Sequence, residues 1–208
     1  MKPWLHEQWC LAPTTDPDFV WRMENVLAVY ERPSDPARPV VCLDEISRQL
    51  LGEVRPPTSV APGRPARHDP EYLRGGVVNH FLASEPLRGW RTVLSRDQRT
   101  RRAFAQCVKD LVEIHYPTAE RIVLVLDQFN IHTPAALYAA FPPAEAKRLA
   151  DKLEIHHTPK HGRWLNMAEL ELSVLQRQCL RQRLADRAAM EHAVTAWAER
   201  RNTASATI

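Results

Sequence analysis

Apolar residues follow two patterns along this chain, and each pattern predicts a different kind of element. Continuous apolar runs at residues 39–45 and 121–127 are typical of buried strands, and both runs end in an acidic residue. The runs at 76–84 and 90–95 predict a hairpin, and 154–157 predicts a short strand. Apolar residues at helical spacing predict helices at 19–30, 97–116, 166–184 and 186–202, and two short helices within 134–153.

The order of these elements predicts the fold class. Long helices that alternate with apolar strands favour an α/β fold, in which a mixed sheet is flanked by helices on both faces. The length of 208 residues fits one domain with extensions, at about 150 residues per domain. We expect residues 1–36 to form a linker and a helix that precede the core, with Trp4 and Trp9 as anchors, and residues 37–203 to form the core.

Composition and charge change this picture little. The net charge of +3 is mildly basic, and by itself it does not indicate nucleic acid as a partner. Two arginine clusters, at 96–102 and 177–187, are consistent either with phosphate contacts or with solvated helix faces. The four cysteines have no paired spacing, which favours reduced thiols in a cytoplasmic protein. No apolar run approaches the roughly 20 residues of a membrane helix, so no membrane association is predicted.

Candidate chemistry lies at the ends of the two buried strands. Asp44 and Asp127 are the acids that end these strands, and the carboxyl ends of neighbouring strands line a common crevice. Two carboxylates brought together repel each other unless one is protonated or a cation lies between them. Mg²⁺ prefers such oxygen ligands, and a pair of ions about 4 Å apart can support phosphoryl chemistry. Each aspartate taken alone is more typical of a turn or helix-cap residue.

A third carboxylate is available at the start of the helix predicted at 166–184. Glu169 and Glu171 both flank its apolar stripe, and periodicity does not choose between them. Asn166 followed by Glu169 is also a capping-box pattern, which needs no metal. His132 either assists the site or lies in a loop. The histidines at 156, 157 and 161 have poor spacing for zinc and no cysteine near them.

Three segments together resemble the DDE transposases of the mariner superfamily, specifically their bacterial insertion-sequence branch. The segments are 40–45, 125–133 and 157–169. The last contains Leu165 and Asn166 shortly before Glu169, similar to a leucine–asparagine pair ahead of the last catalytic glutamate in that family. The resemblance therefore selects Glu169 over Glu171. It implies that Asp44, Asp127 and Glu169 are the catalytic and metal-binding residues.

The resemblance also implies a fold, a reaction and partners. It implies a ribonuclease-H-like catalytic core that uses two Mg²⁺ or Mn²⁺ ions to cleave DNA strands and transfer them at insertion-sequence ends. The implied partners are double-stranded DNA, as transposon ends and as target, and a second copy in a homodimer. The implied location is the bacterial cytoplasm, at the nucleoid.

Three departures from the family pattern support an alternative. Gln128 stands where the family usually has asparagine, and 41 residues separate Asp127 from Glu169 (169 − 127 − 1), more than in many relatives. The chain also begins after the position expected for an N-terminal helix-turn-helix region and ends short of the expected basic tail. The alternative is an inactive truncated remnant that only binds DNA or co-assembles with other copies. A host ribonuclease-H-like nuclease is a third, less favoured interpretation.

Overall fold

The computed structural model describes residues 16–67 and 69–207. Trp4, Trp9 and the rest of the first 15 residues lie outside the described residues. The strands are β1 Val40–Glu53, β2 Tyr72–Glu85, β3 Trp90–Arg96, β4 Ile122–Leu126 and β5 Leu153–His157. The α-helices are α1 Pro17–Tyr30, α2 Arg101–Asp110, α3 Ala135–Ala140, α4 Pro143–Asp151, α5 Met167–Gln178 and α6 Arg187–Thr203. No helix in this part of the chain is long and apolar enough to cross a membrane.

The five strands form one mixed sheet in the order β3-β2-β1-β4-β5. β1, β2 and β3 pair antiparallel, whereas β4 runs parallel to both β1 and β5. This arrangement confirms the predicted mixed sheet and the predicted hairpin of β2 and β3. It also makes β1 and β4 neighbours, as the convergence of their acidic ends requires.

The first strand differs from the prediction, because it does not end at its acidic residues. β1 pairs with β4 only as far as Cys42, opposite Val125, and then continues beside β2 to Glu53. Residues 46–53 include several polar side chains, so they lack the continuous apolar character that marks a buried strand. Asp44 therefore lies within a long strand, two residues beyond the last parallel pair, rather than at a strand end.

Helices cover both faces of the sheet, as predicted, and divide the core into two layers. One layer contains Val41, Leu43, Leu124 and Leu126 and is covered by residues of α2, α3 and α4. The other contains Cys42, Val123 and Val125 and is covered by residues of α1, α5 and α6. Helix α1 contributes Val26 and Val29 to this second layer, and both are fully buried. Because side chains alternate along strands, Asp44 and Asp127 fall on the α5 side.

Two predicted helices have different bounds in the structure. The helix predicted at 97–116 begins at Arg101, because the Thr100 side chain accepts a hydrogen bond from the Ala103 N–H at 3.2 Å. Its last turn, Leu111–His115, is π-helical. The helix predicted at 166–184 ends at Gln178, and the chain then turns so that Leu184 accepts a hydrogen bond from the Leu51 N–H.

Candidate active site

Asp44 is the most deeply buried of the predicted site residues, with 1% of its surface exposed. Its Oδ1 accepts a hydrogen bond from the Glu45 N–H at 2.8 Å. Its Oδ2 is buried and has no hydrogen-bond partner among the described residues. Burial, together with the charges of Glu169 and Asp127, raises the pKa of Asp44 to about 8. This carboxyl group therefore needs either a proton or a cation close to Oδ2.

Asp127 follows β4 directly and has one oxygen fully occupied. Oδ1 accepts hydrogen bonds from the Phe129 N–H at 3.0 Å and from the His132 ring at 2.7 Å. Oδ2 lies 3.6 Å from Nε of Arg163. Burial alone would raise the pKa of Asp127, but the hydrogen bond and positive charge of His132 outweigh it and the pKa is lowered. Asp127 is consequently ionised, with Oδ2 directed toward Arg163.

Glu169 reaches the same place from the first turn of α5. This helix begins at Met167 because the Asn166 side chain accepts a hydrogen bond from the Ala168 N–H at 3.1 Å. The Glu169 side chain is 30% exposed, and its Oε1 accepts a hydrogen bond from Arg163. The helix start therefore places this carboxylate near Asp44 of β1 and Asp127 at the end of β4, with Arg163 among all three.

Arg163 is the residue that joins the three predicted acids. Its guanidinium contacts Glu169, lies 3.6 Å from Asp127 and lies 3.9 Å from Asp44. The three carboxylates therefore surround one positive charge. The sequence signal for Arg163 was weak, because an arginine six residues before Glu169 has no distinctive pattern of its own.

Glu171, the other candidate for the third acid, lies elsewhere in the structure. It is completely buried, and its oxygens accept hydrogen bonds from Arg201 at 2.7 and 3.0 Å. Nε of Arg91 lies 2.9 Å from the same carboxylate but is not aligned for a hydrogen bond. Glu171 thus neutralises two arginines between α5, β3 and α6. The geometry groups Glu169, and not Glu171, with the two aspartates.

The sequence position of His132 is compatible either with a role in the site or with a place in a loop. The structure places His132 against the acidic cluster. It is completely buried and contacts Asp127 through Nδ1 and Glu45 through Nε2, at 2.7 and 2.9 Å. Burial lowers the pKa of His132, but the hydrogen bonds to Asp127 and Glu45 outweigh this effect and raise the pKa to about 9. Gln128, in contrast, is exposed.

The histidines considered for zinc have separate partners. His156 contacts Asn25 at 2.6 Å and Glu154 at 3.0 Å, and His157 contacts the Asp127 carbonyl oxygen at 3.1 Å. His161 has a left-handed backbone conformation, with φ of 65°, in the exposed turn before Gly162. The contacts of His156 and His157 therefore explain the positions of these two histidines without a metal.

The chemistry of the three acids fits a divalent cation. Carboxylate oxygens are the ligands that Mg²⁺ and Mn²⁺ prefer, and within residues 16–67 and 69–207 the buried Asp44 Oδ2 has no hydrogen-bond partner. Within the described residues, no group of three or more acidic, histidine or cysteine side chains is already gathered closely enough to hold an ion. The Arg163 guanidinium lies at the centre of the cluster instead, and its side chain is 61% exposed to solvent.

Comparison with solved structures defines the fold class as ribonuclease-H-like. The Mos1 mariner paired end complex with Mn matches with a TM-score of 0.61 and 16% identity over 96% of this chain. The Mos1 Strand Transfer Complex matches with a TM-score of 0.57 and 15% identity over 96% of this chain. This chain spans 61% and 59% of those two chains. Identities this low show the shared fold alone.

The family follows from the sequence itself. The DDE superfamily endonuclease family matches residues 39–191, about three quarters of the chain, and the chain therefore belongs to this family. The matched segment contains Asp44, Asp127 and Glu169. A search of curated proteins found no match. The family membership confirms the predicted DDE endonuclease class, while the bacterial insertion-sequence branch stays a prediction.

Proposed function

We propose that this chain is the catalytic domain of a transposase that cleaves DNA strands and transfers them at insertion-sequence ends. The observation that supports this most is the convergence of Asp44, Asp127 and Glu169 on one positively charged group, in a fold of the DDE endonuclease family. We place the catalytic domain at residues 37–203, with the segment 1–36 preceding it. The location we propose is the bacterial cytoplasm, at the nucleoid.

The proposed cofactor is a pair of Mg²⁺ or Mn²⁺ ions held by Asp44, Asp127 and Glu169. Bound divalent ions would supply activation of the attacking oxygen and neutralisation of charge on the scissile phosphate. The unpartnered Oδ2 of Asp44 and the half-exposed carboxylate of Glu169 are the oxygens best placed to bind them. Solved Mos1 complexes with Mn and with Mg support the choice of ions.

The protein's own contribution to the reaction is position and electrostatics. Asp44 and Asp127 extend from neighbouring strands of a rigid sheet, so their separation is set by the β1–β4 ladder. Glu169 is brought to them by a helix whose start is held by Asn166. Phosphoryl transfer requires little covalent chemistry from side chains, and a preorganised set of charges suits it.

The proposed partners are double-stranded DNA, as transposon ends and as target, and a second copy of the chain. The Mos1 complexes are paired end and strand transfer complexes, which supports DNA as the substrate class here. The homodimer rests on the resemblance to mariner transposases. The exposed Arg101 and Arg102 at the start of α2 offer positive charge for phosphates.

The test is nicking of supercoiled plasmid by the purified chain with Mn²⁺ or Mg²⁺. Asp44→Asn, Asp127→Asn and Glu169→Gln should each abolish metal-dependent nicking while the chain stays folded by circular dichroism. Glu53→Gln is the matched control, because Glu53 is a β1 carboxylate that pairs with Arg183 outside the cluster. Undiminished nicking by any of the three variants would remove that residue from the site.

The wild-type result separates this proposal from the alternative. A folded wild-type chain that binds Mn²⁺ but does not nick DNA would favour the inactive remnant, which binds DNA or co-assembles without cleaving. Cleavage of RNA–DNA hybrids with no activity on DNA would instead favour a host ribonuclease-H-like nuclease.

A further inference from the structure

A buried chain of three polar side chains runs from Asp127 into the interior, away from the cluster around Arg163. His132 Nδ1 lies 2.7 Å from Asp127 Oδ1, and His132 Nε2 lies 2.9 Å from Glu45 Oε2. His132 is completely buried, and Glu45 is 6% exposed. Polar side chains this deeply buried require hydrogen-bond partners, and these three supply them to one another. The hydrogen-bonded row of Asp127, His132 and Glu45 is therefore part of the protein interior and not a chance contact at the surface.

Glu45 is adjacent to Asp44 in sequence, but its side chain lies on the opposite face of the sheet. Successive residues of a strand point to opposite sides, so Asp44 faces α5 while Glu45 faces the layer of α2. There the His132 ring packs against Phe104, with ring centroids 4.9 Å apart. Glu45 therefore contacts His132 on the α2 face of the sheet, opposite the face that carries Asp44. It is not a fourth carboxylate of the cluster.

Arg99 lies beside Glu45, at the end of the hydrogen-bonded row that is farthest from Asp127. Its Nη1 lies 3.5 Å from Glu45 Oε1, and its guanidinium lies over the Phe129 ring at 4.4 Å from the centroid. Two acids and two bases thus alternate in the order Asp127, His132, Glu45 and Arg99. Each carboxylate in this order therefore has a basic side chain beside it, which offsets the cost of burying it.

The consequence for Asp127 is that both of its hydrogen-bond donors among the described residues lie on Oδ1, which leaves Oδ2 for other partners. Oδ1 accepts both the His132 N–H and the Phe129 N–H, and this pair of donors sets the plane of the carboxylate. Oδ2 is then directed to the cluster, 3.6 Å from Arg163. Partners behind a metal-binding carboxylate commonly fix its orientation in this way.

We propose that His132, held by Glu45, is a positioning residue that orients Asp127 so that its Oδ2 faces the proposed metal site. This inference rests on the proposed function, because it assumes that Asp127 binds the ion. It goes beyond the three acids by assigning roles to His132, which contacts Asp127 on the side away from Arg163, and to Glu45, which contacts His132. Without His132, the Asp127 carboxylate would be free to rotate and would present a poorer ligand.

The test uses two substitutions that each retain one half of the imidazole's hydrogen bonding. His132→Asn places an amide N–H near the position of Nδ1 and keeps the contact to Asp127. His132→Gln places it near the position of Nε2 and keeps the contact to Glu45. Both variants lose one bond to a buried carboxylate, so their stabilities should fall by similar amounts. Mn²⁺ affinity, measured by electron paramagnetic resonance of free Mn²⁺, should separate them.

We expect His132→Gln to weaken Mn²⁺ binding by about ten- to a hundredfold, the usual effect of losing a partner behind a ligand. His132→Asn should remain within about threefold of wild type. The half-saturating Mn²⁺ concentration for plasmid nicking should follow the same order. Equal Mn²⁺ affinities in the two variants would overturn the inference.

A second pair of variants covers the case in which the histidine variants do not fold. Glu45→Gln removes the charge that holds the imidazole from behind, and we expect Mn²⁺ binding at least about threefold weaker. Glu53→Gln, on the same strand, should leave Mn²⁺ affinity unchanged. Equal affinity in these two variants would also overturn the inference. If the folded wild-type chain binds no Mn²⁺, the proposed function itself has failed, which is a distinguishable result.

Discussion

The side-chain amide of Asn166 donates a hydrogen bond to the backbone carbonyl oxygen of Leu43 at 3.0 Å, across 123 residues of sequence. Leu43 directly precedes Asp44, and Asn166 caps the helix that carries Glu169. One buried asparagine therefore joins the strand of the first acid to the helix of the third. Tyr30 strengthens this junction, because its hydroxyl donates to the Leu165 carbonyl oxygen at 2.8 Å.

Replacing Asn166 should separate its two roles. Asn166→Ala removes both the helix cap and the bond to Leu43, and we expect a loss of about 2–4 kcal/mol in the free energy of unfolding. Asn166→Ser keeps a capping oxygen but is too short to donate to Leu43, so it should lose about half as much. Both should weaken Mn²⁺ binding similarly, since the bond to Leu43 sets the distance between the acids. Urea unfolding and Mn²⁺ titration measure the two effects, and normal Mn²⁺ affinity in both variants would contradict this role.

Substitution of the two glutamates of α5 should lower the free energy of unfolding by different amounts. Glu171 is completely buried against Arg91 and Arg201, so Glu171→Gln leaves two partly or fully buried arginines without a counter-charge. We expect it to lower the free energy of unfolding by about 3–5 kcal/mol. Glu169→Gln changes a partly exposed pair and should cost under about 1 kcal/mol. Denaturant unfolding compares the two, and equal losses of stability would contradict the assignment of Glu171 to the core.

Asp44 should make the metal-free protein less stable as the pH rises. Its pKa in the folded chain, about 8, is above the ordinary value near 3.8, so the folded state binds the proton more tightly than the unfolded state. Stability should therefore fall between about pH 4 and pH 8. Asp44→Asn removes this dependence and should melt higher than wild type in EDTA above pH 8. With Mn²⁺ present the order should reverse, because only wild type gains stability from the ion.

Removing Arg163 should help the proposed ion to bind. The guanidinium lies among the three carboxylates, so a metal ion must displace it. Because the arginine is largely exposed, its contacts are worth about 1 kcal/mol in total, which corresponds to about fivefold tighter Mn²⁺ binding by Arg163→Ala. Arg163→Lys, which keeps the charge, is the control and should bind nearly as wild type does. Weaker Mn²⁺ binding by the alanine variant would show that Arg163 supports the site and does not compete for it.

Glu154 should contribute stability that is lost in acid. Burial raises the pKa of Glu154, but hydrogen bonds from Arg32, His156 and Arg38 outweigh this and lower it to about 2, below the ordinary 4.5. Its contribution is therefore fully present above about pH 4.5 and disappears as the pH falls toward 2. Glu154→Gln should cost about 1–3 kcal/mol at pH 7 and almost nothing near pH 2. Urea unfolding at the two pH values measures this, and a cost independent of pH would contradict the ionic role.

The sequence by itself determined most of the elements and the identity of the acids that meet. Continuous apolar runs marked β4 and the first half of β1, because strands buried on both faces have no polar alternation. The same runs carry Asp44 and Asp127 at their acidic ends, but only the sheet order showed that the two strands are neighbours, and the pair Pro142 and Pro143 separated α3 from α4 correctly. Glu169 was selected over Glu171 only by resemblance, since periodicity reports which face of a helix a residue occupies and not what lies opposite.

The tertiary structure alone decided which polar groups act together. The full length of β1 depends on pairing with β2, and the polar residues at 46–53 do not predict this pairing. His132 contacts Glu45 from 87 residues away, and Glu171 accepts hydrogen bonds from Arg201, 30 residues away. Such contacts join elements through packing, and no local pattern encodes them. The central position of Arg163 arises in the same way, because the Asp44 segment of β1, the end of β4 and the start of α5 meet there only once the sheet and α5 are packed together.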